Sequence, residues 1–394
     1  MTRDRQHAPL GDITPEVFMR QYWQRKPLLI RQAFPAFTPP ISIAAVKKLA
    51  KSDEAESRLI SREGDAWQME SGPFGSLPKR TDPDWTLLVQ SVDLHDDAVA
   101  DLRDAFRFIP DARLDDLMIS IAGVGGGVGA HFDSYDVFLL QAVGKRHWRI
   151  GQQKDLSLKP GLPLKILKDF QPEEEFVLEP GDMLYLPPHV AHDGIALDEC
   201  MTISVGFRAP TTAFLAQGML EAAADQIRAR AGMGAGPFGE PPLPGPALAG
   251  RYQDPGEKPA AQPARIPDKM IDASLKAVGA VAFDTTLATR FLGCWLTEPG
   301  PATQFDNPSE DAPDLTVQWP TGATFKLDRR TRMLHRDGNL FINGEVVTGK
   351  PSDFLIALAD ARSLLVPGVK QAGVTPAVRQ LLDNWVQDGW LLIT

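Results

Sequence analysis

GGGVGAHFDSYDVFLLQAVGKRHWRIG, residues 125–151, reads as a glycine-rich connection followed by two strands. His131 to Val143 alternates in the manner of a strand, Val143-Gly144-Lys145 makes a tight turn, and Arg146 to Gly151 returns. In a strand, residues i and i+2 share a face, so His131 and Asp133 can reach one ion together. A later stretch of the same β-rich region, EPGDMLYLPPHVAHDG at 179–194, repeats the logic. Pro180-Gly181-Asp182 is a turn, Met183 to Leu186 a buried strand, and Pro187-Pro188 fixes the approach to His189 and His192. Two imidazoles and one carboxylate on one side of a metal leave its other side open, the arrangement suited to a non-heme ferrous oxygenase. His189 and His192 compete for the third position. The prolines argue against a helix that would let both serve, and His192 is the preferred ligand, with His189 at the pocket mouth or in solvent.

Around this centre the chain divides. LMISIA (117–122) and GIALDECMTISVGF (194–207) are further strands, and short strands at this spacing suggest a sandwich or small barrel, with jelly rolls among the candidates. Upstream, Thr14-Pro15 opens a helix, Leu28 to Ile30 is a short buried strand, and SIAAVKKLAKSDEAESRL (42–59) reads as helical. Residues 211–231 have helical periodicity. Nine prolines and seven glycines then fall within 232–268, a composition that excludes regular structure over most of that segment. A further helical run follows. The end of the chain mixes strands (TVQWP, ATFKLD, NLFINGEVV, GWLLIT) with helices.

Composition sets outer limits. The chain has 394 residues and a formal net charge of −10. That is the wrong sign for a general nucleic-acid coat and the right one for a basic partner. Two cysteines cannot build a disulfide framework, a four-thiolate zinc site or an iron–sulfur cluster. The N-terminal segment has no apolar stretch of the signal-peptide kind, so a soluble, cytoplasmic protein without membrane insertion is expected. GVGGGVG lacks the Gly-Lys-Ser/Thr and the helix of a phosphate loop. Its glycines are expected to let backbone run close to the substrate entrance. KLDRRTRMLHR (326–336) reads as a solvated wing or hairpin rather than a DNA contact.

The stretches at 125–151 and 179–210, together with FMRQYWQRKPLLIRQAF (18–34) and GRYQDPGEKPA (250–260), resemble the JmjC-type ribosomal oxygenases of bacteria, and the resemblance covers most of the chain. It implies a mainly β fold with α elements: a double-stranded β-helix (jelly-roll, cupin/JmjC) domain over 1–210, a helical dimerisation segment with a Pro/Gly-rich linker over 211–290, and a winged-helix-like α+β domain over 291–394. It implies Fe(II) on His131, Asp133 and His192, with 2-oxoglutarate as co-substrate and O2 as oxidant. Arg146 would pair with the far carboxylate of 2-oxoglutarate, by the two-point contact that suits an arginine. Lys145 and Arg149 are its rivals, although Arg149 falls on the opposite strand face. Ser120 and Thr202 would lie beside the co-substrate, with Thr202 and Ala122 departing from the asparagine and serine of a relative. Tyr135 would line the substrate pocket or pack the barrel. Asp115 and Asp116 would attract a cationic side chain or form an exposed acidic loop. The implied reaction is hydroxylation of an arginine β-carbon in large-subunit ribosomal protein sixteen by a homodimer. The alternatives are histidine hydroxylation of another ribosomal protein, a small-molecule 2-oxoglutarate oxygenase, and a non-catalytic ribosome-binding factor.

Overall fold

A computed structural model of the protein describes residues 8–394 except 246, 302, 309–312 and 369–372. Contacts divide it into two compact units, Met1–Ala209 and Pro210–Thr394. The first is built on eleven strands: β1 (Leu28–Ile30), β2 (Ser57–Glu63), β3 (Ala66–Ser71), β4 (Trp85–Val89), β5 (Leu114–Ala122), β6 (Asp136–Val143), β7 (Arg146–Gly151), β8 (Glu174–Leu178), β9 (Met183–Leu186), β10 (Ala191–Ala196) and β11 (Cys200–Phe207). They form an eight-stranded sheet, in the order β1-β9-β6-β11-β5-β4-β2-β3, and a three-stranded sheet, β10-β7-β8. Every pairing is antiparallel. This is the jelly-roll arrangement the strand spacing suggested.

Period-two alternation decides what each face of the large sheet does. Leu117, Ile119 and Ile121 of β5, Phe138 and Leu140 of β6, and Ile203 and Val205 of β11 point to one side, into the main core. That core also receives helix α1 (Pro15–Gln21) through Phe18 and helix α2 (Ile43–Leu49) through Val46. Thr14 caps α1 by accepting from the Val17 amide, with Pro15 in the first turn as read from sequence. The other face turns toward the small sheet. It carries Val137 and Leu139, which join Trp148, Ile150 and Leu186 in a second cluster, and beyond them a row of buried polar side chains: Ser120, Gln141, Thr202 and Ser204.

Three expectations need correction. The histidine–aspartate tripeptide is not inside a regular strand: β6 starts at Asp136, and His131 makes only an isolated bridge with His192. Residues 57–59 belong to a strand, not to the helix of 42–59, and β2 and β3 form an unanticipated hairpin over the Gly64 turn. TVQWP is turn and loop rather than strand.

Helix α3 (Asp97–Leu102) closes the set of helices in the first unit, and the second unit contains α4 (Thr212–Arg230), α5 (Asp268–Gly279), α6 (Thr285–Thr297), α7 (Asp353–Ala361) and α8 (Pro376–Gln387). Strands β12 (Thr324–Leu327), β16 (Ser363–Leu365) and β17 (Leu391–Ile393) form one small sheet. Strands β13 (Met333–Arg336), β14 (Asn339–Ile342) and β15 (Glu345–Val347) form another. Much of the basic run at 326–336 is thus the end of β12, a turn and β13. The division expected at 290/291 falls inside α6, whose Phe291 and Cys294 pack with Ala222 and Ala223 of α4 and Phe341 of β14 in one cluster.

A candidate metal centre and its facing cation

The backbone builds the metal centre before any side chain is considered. The His131 amide donates to the His192 carbonyl at 2.9 Å and the His192 amide to the His131 carbonyl at 2.8 Å, which sets the two residues directly opposite each other. The His189 amide donates to the Asp133 carbonyl at 2.8 Å and fixes the loop that carries the carboxylate. His189 itself is exposed, with its ring 5.7 Å from that of Phe132, so it clamps the loop through its backbone and is not the third ligand.

The ring orientations follow from hydrogen bonding. Nδ1 of His131 lies 2.9 Å from the Gly129 carbonyl, and Nδ1 of His192 lies 3.0 Å from the Val190 carbonyl. A carbonyl can only accept, so each Nδ1 carries the proton and each Nε2 keeps its lone pair for a metal. One ligand atom from each of His131, Asp133 and His192 lies within 4.8 Å of the others, with His192 Nε2 3.6 Å from Asp133 Oδ2. Burial and then the neighbouring His131 push the His192 imidazole down to about 4, which keeps it neutral at physiological pH. Two neutral imidazoles and a carboxylate suit a divalent first-row metal and leave half its coordination sphere to other ligands. The donor set therefore fits iron.

Glycines hold this end together. A Cβ on Gly126 would fall 2.1 Å from the Trp85 carbonyl oxygen, so only glycine permits the close pass beside β4. Gly129 adopts φ +78° and presents the carbonyl that His131 uses. Elsewhere in this connection a Cβ on Gly127 would fall 2.8 Å from the Gly194 carbonyl oxygen, and one on Gly129 would fall 2.9 Å from Ile166 Cδ1.

Across the cavity stands Arg146. On β7, Arg146, Trp148 and Ile150 face inward, whereas Arg149 faces out and donates to Asp193. Lys145 is also committed elsewhere, to Glu179. Arg146 is 5% exposed, and its Nη1 donates to Ser120 Oγ at 3.2 Å. Its Nε and Nη2 are buried without a partner. A buried guanidinium with two free donors fits a carboxylate, as the far end of 2-oxoglutarate would supply. Ser120 thus lies beside the cation. Thr202, opposite Ser120 and next to Gln141 in the sheet register, donates its hydroxyl proton to Gln141 Oε1 at 3.0 Å. It faces the cavity but has no proton left to give a carboxylate.

Gln141 was missed from sequence. Its signal was a polar residue at the inward position of an otherwise apolar strand, in step with Val137 and Leu139. Its amide also donates to the Val143 carbonyl at 2.8 Å, bracing the β6–β7 turn from which Arg146 departs.

Asp133, Asp116 and Asp115 all lie near Tyr135. The Tyr135 hydroxyl is held well above its ordinary range by burial and then by Asp133, Asp116 and Asp115. Asp116 is a strand residue, not part of an exposed loop, and its carboxylate accepts from the Ser91 amide at 3.0 Å and hydroxyl at 3.1 Å. Burial first, then Asp93 and Asp115, push it up to about 6. Asp115 is exposed and pairs with Arg208 at 3.2 Å. Gly206 lies against both groups: a Cβ there would make ordinary contact with Asp116 Oδ1 at 3.5 Å and Tyr135 Cε2 at 4.0 Å.

Known proteins share this architecture. Residues 101–215 match the JmjC domain family, and residues 280–392 match the ROXA-like winged helix family. The ribosomal protein uL16 3-hydroxylase of Escherichia coli is 41% identical over 259 residues, a match spanning 65% of this chain and 64% of that enzyme. The crystal structure of the Escherichia coli ribosomal oxygenase YcfD superposes with a TM-score of 0.77 at 30% identity, covering 98% of this chain and 99% of that one. YcfD in complex with cobalt and 2-oxoglutarate superposes with a TM-score of 0.78 at 29% identity, over 97% of this chain and 99% of that one. With its jelly roll, its open-sided metal triad and these full-length likenesses, the chain belongs to the JmjC-domain ribosomal oxygenases.

Proposed function

We propose that the protein is an Fe(II)- and 2-oxoglutarate-dependent hydroxylase that oxygenates the β-carbon of an arginine in large-subunit ribosomal protein uL16. The observation that carries the reading is the pairing of an open-sided His131–Asp133–His192 centre with the two unpartnered donors of buried Arg146. The similar uL16 3-hydroxylase supports the substrate. Bound iron supplies the redox chemistry that couples conversion of 2-oxoglutarate and O2 to succinate and carbon dioxide with insertion of one oxygen atom into a C–H bond.

The chain's own residues do the rest. Arg146 and Ser120 bind the far carboxylate and orient the 2-oxoacid end toward the triad. Apolar Val137, Leu139 and Leu186 pack with Trp148 in one buried cluster and keep water from that interior. Asp116, assisted by Asp115, is placed to receive a guanidinium, and Tyr135 lies between that carboxylate and Asp133. A cation entering there offsets the repulsion that raises Asp116, so binding favours its ionised form.

A homodimer fits the second unit. None of the twelve residues of α5 is buried, and Ile271, Leu275 and Val278 at i, i+4 and i+7 present an apolar stripe 48%, 67% and 65% exposed. A ribosomal protein substrate places the enzyme in the cytoplasm, and no helix among the described residues is long and apolar enough to cross a membrane.

The test is anaerobic reconstitution with Fe(II) and 2-oxoglutarate, then admission of air with purified ribosomal proteins and intact-mass readout. One added oxygen on uL16, mapped to an arginine by fragmentation, is expected. Oxygen on a histidine of another ribosomal protein would transfer the reading to that substrate. Succinate release stimulated by a free metabolite and by no ribosomal protein would refute it.

A further inference from the structure

Trp148 lies near both the ligand His192 and Arg146 and has a buried donor without a partner. It is on β7 two residues after Arg146, on the same inward face, and directly opposite Gly194 of β10. Its ring centroid is 5.9 Å from that of the ligand His192 and 5.7 Å from the Arg146 guanidinium carbon. The indole therefore bridges the metal pole and the cation pole. It is 5% exposed, yet Nε1 has no hydrogen-bond partner.

Gly194 explains the ring's placement. A Cβ there would fall 2.7 to 2.9 Å from Cζ3, Cη2 and Cε3 of Trp148. Absence of a side chain lets the benzene edge lie flat on β10, and that edge is the one remote from Nε1. The N–H is thereby directed away from the β10 backbone, whose carbonyls would otherwise satisfy it. A buried unsatisfied donor costs free energy in the unliganded protein and returns it when an acceptor arrives.

We infer that Trp148 is a co-substrate-binding residue whose indole N–H donates to a carboxylate oxygen of bound 2-oxoglutarate. The inference rests on the proposed function and deepens it. With Thr202 turned toward Gln141, Trp148 joins Arg146 Nε, Arg146 Nη2 and the Ser120 hydroxyl in a cradle of donors. Such a cradle suits an ionised diacid and rejects its amides and esters.

The experiment uses the full-length protein loaded with Zn(II), which supports no turnover. Titration calorimetry compares 2-oxoglutarate binding to wild type and Trp148→Phe, which keeps an apolar ring and deletes the N–H. A hydrogen bond to a charged acceptor predicts about ten- to a hundredfold weaker binding, with Zn(II) affinity unchanged. Oxalate, which reaches only the metal, shows which carboxylate is involved: loss for both ligands assigns the near one, and loss for 2-oxoglutarate alone the far one. Should Trp148→Phe fail to fold, the wild-type indole resonance answers directly. It is the tryptophan N–H most broadened when Mn(II) replaces Zn(II), and a downfield shift on adding 2-oxoglutarate is expected. Unchanged affinity in Trp148→Phe, or an unmoved resonance at saturation, overturns the inference and leaves the proposed function standing. A wild type that binds no 2-oxoglutarate overturns the proposed function and the inference with it.

Discussion

Replacing Arg146 by methionine should move ligand affinity and unliganded stability in opposite directions. The guanidinium is buried, its protein hydrogen bond is to the neutral Ser120 hydroxyl, and two of its donors are unpartnered. A carboxylate would fill both. Charge-assisted hydrogen bonds contribute about 1.5–3 kcal/mol each, so losing two weakens 2-oxoglutarate binding by about a hundredfold at the lower bound. In the unliganded protein the same cation is desolvated without a carboxylate to compensate it, and a methionine of similar length removes that cost. The apparent melting temperature of Zn(II)-loaded Arg146→Met should therefore equal or exceed that of wild type. Adding 2-oxoglutarate at a hundred times the wild-type dissociation constant should stabilise wild type by about 2.7 kcal/mol and the variant by only about 0.4 kcal/mol. Differential scanning calorimetry with and without the ligand reads both effects. Arg149→Met is the control, because Arg149 faces outward to Asp193 and should leave the ligand-induced shift intact. An Arg146→Met protein that keeps the full shift would refute the assignment of the cation pole.

Asp133→Ala removes the one anionic ligand from a loop held by backbone hydrogen bonds. It should leave the circular dichroism spectrum unchanged while weakening Co(II) binding by about a hundredfold or more, measured by visible absorption. Thr202→Val, nearly isosteric, strands the buried Gln141 carbonyl and should cost about 1–3 kcal/mol in urea unfolding; a cost near zero would show that the pair is dispensable. Asp116→Asn tests the raised carboxylate. A folded-state value of about 6 against about 3.9 unfolded means the native protein holds the proton more tightly, so this group's stabilisation is complete below about pH 4 and is lost as pH rises through 6. The asparagine should thus raise stability relative to wild type at pH 8 by no more than about 3 kcal/mol, with the advantage fading toward pH 4. The same variant should lose uL16 hydroxylation, and a variant no more stable than wild type at pH 8 would contradict the burial argument.

The metal centre was legible because its parts are local. His131 and Asp133 are two apart, and the turn, strand and diproline before His192 leave that residue few directions to face. Strand alternation allowed only one of Arg146 and Arg149 to face inward, and the family resemblance pointed to Arg146. What stayed hidden depends on register. Gln141 matters because β11 lies between β5 and β6 and sets Thr202 against both Ser120 and Gln141, a pairing between residues up to 82 apart in sequence that no local pattern encodes. The β2–β3 hairpin was misread for a related reason. Its first residues continue a run of good helix formers, and pairing with β4 overrides that propensity. TVQWP carries strand formers but meets Pro320, and Trp319 directs its indole N–H to the Pro367 carbonyl at 2.8 Å instead of packing into a ladder.

The site residues also tie the two sheets of the jelly roll together, once at each pole of the cavity. At one pole the double hydrogen bond between His131 and His192 joins the segment leading into β6 to β10. At the other, Arg146 of β7 reaches Ser120 of β5. Between the poles the register is continuous: Arg146 pairs with Ala196, four residues along β10 from His192. That is about 13 Å of strand at ordinary rise. The span is closed from one end by an arginine side chain and from the other by an imidazole and its metal, with Trp148 beneath. The length available to a co-substrate is therefore set by a hydrogen-bonded ladder rather than by loops. Hinge-like adaptation to a longer or shorter diacid would require that ladder to slip, and a one-residue slip of β7 against β10 would turn Arg146 away from the face that carries His192. Selectivity for chain length and alignment of the cation with the metal centre thus have the same structural cause.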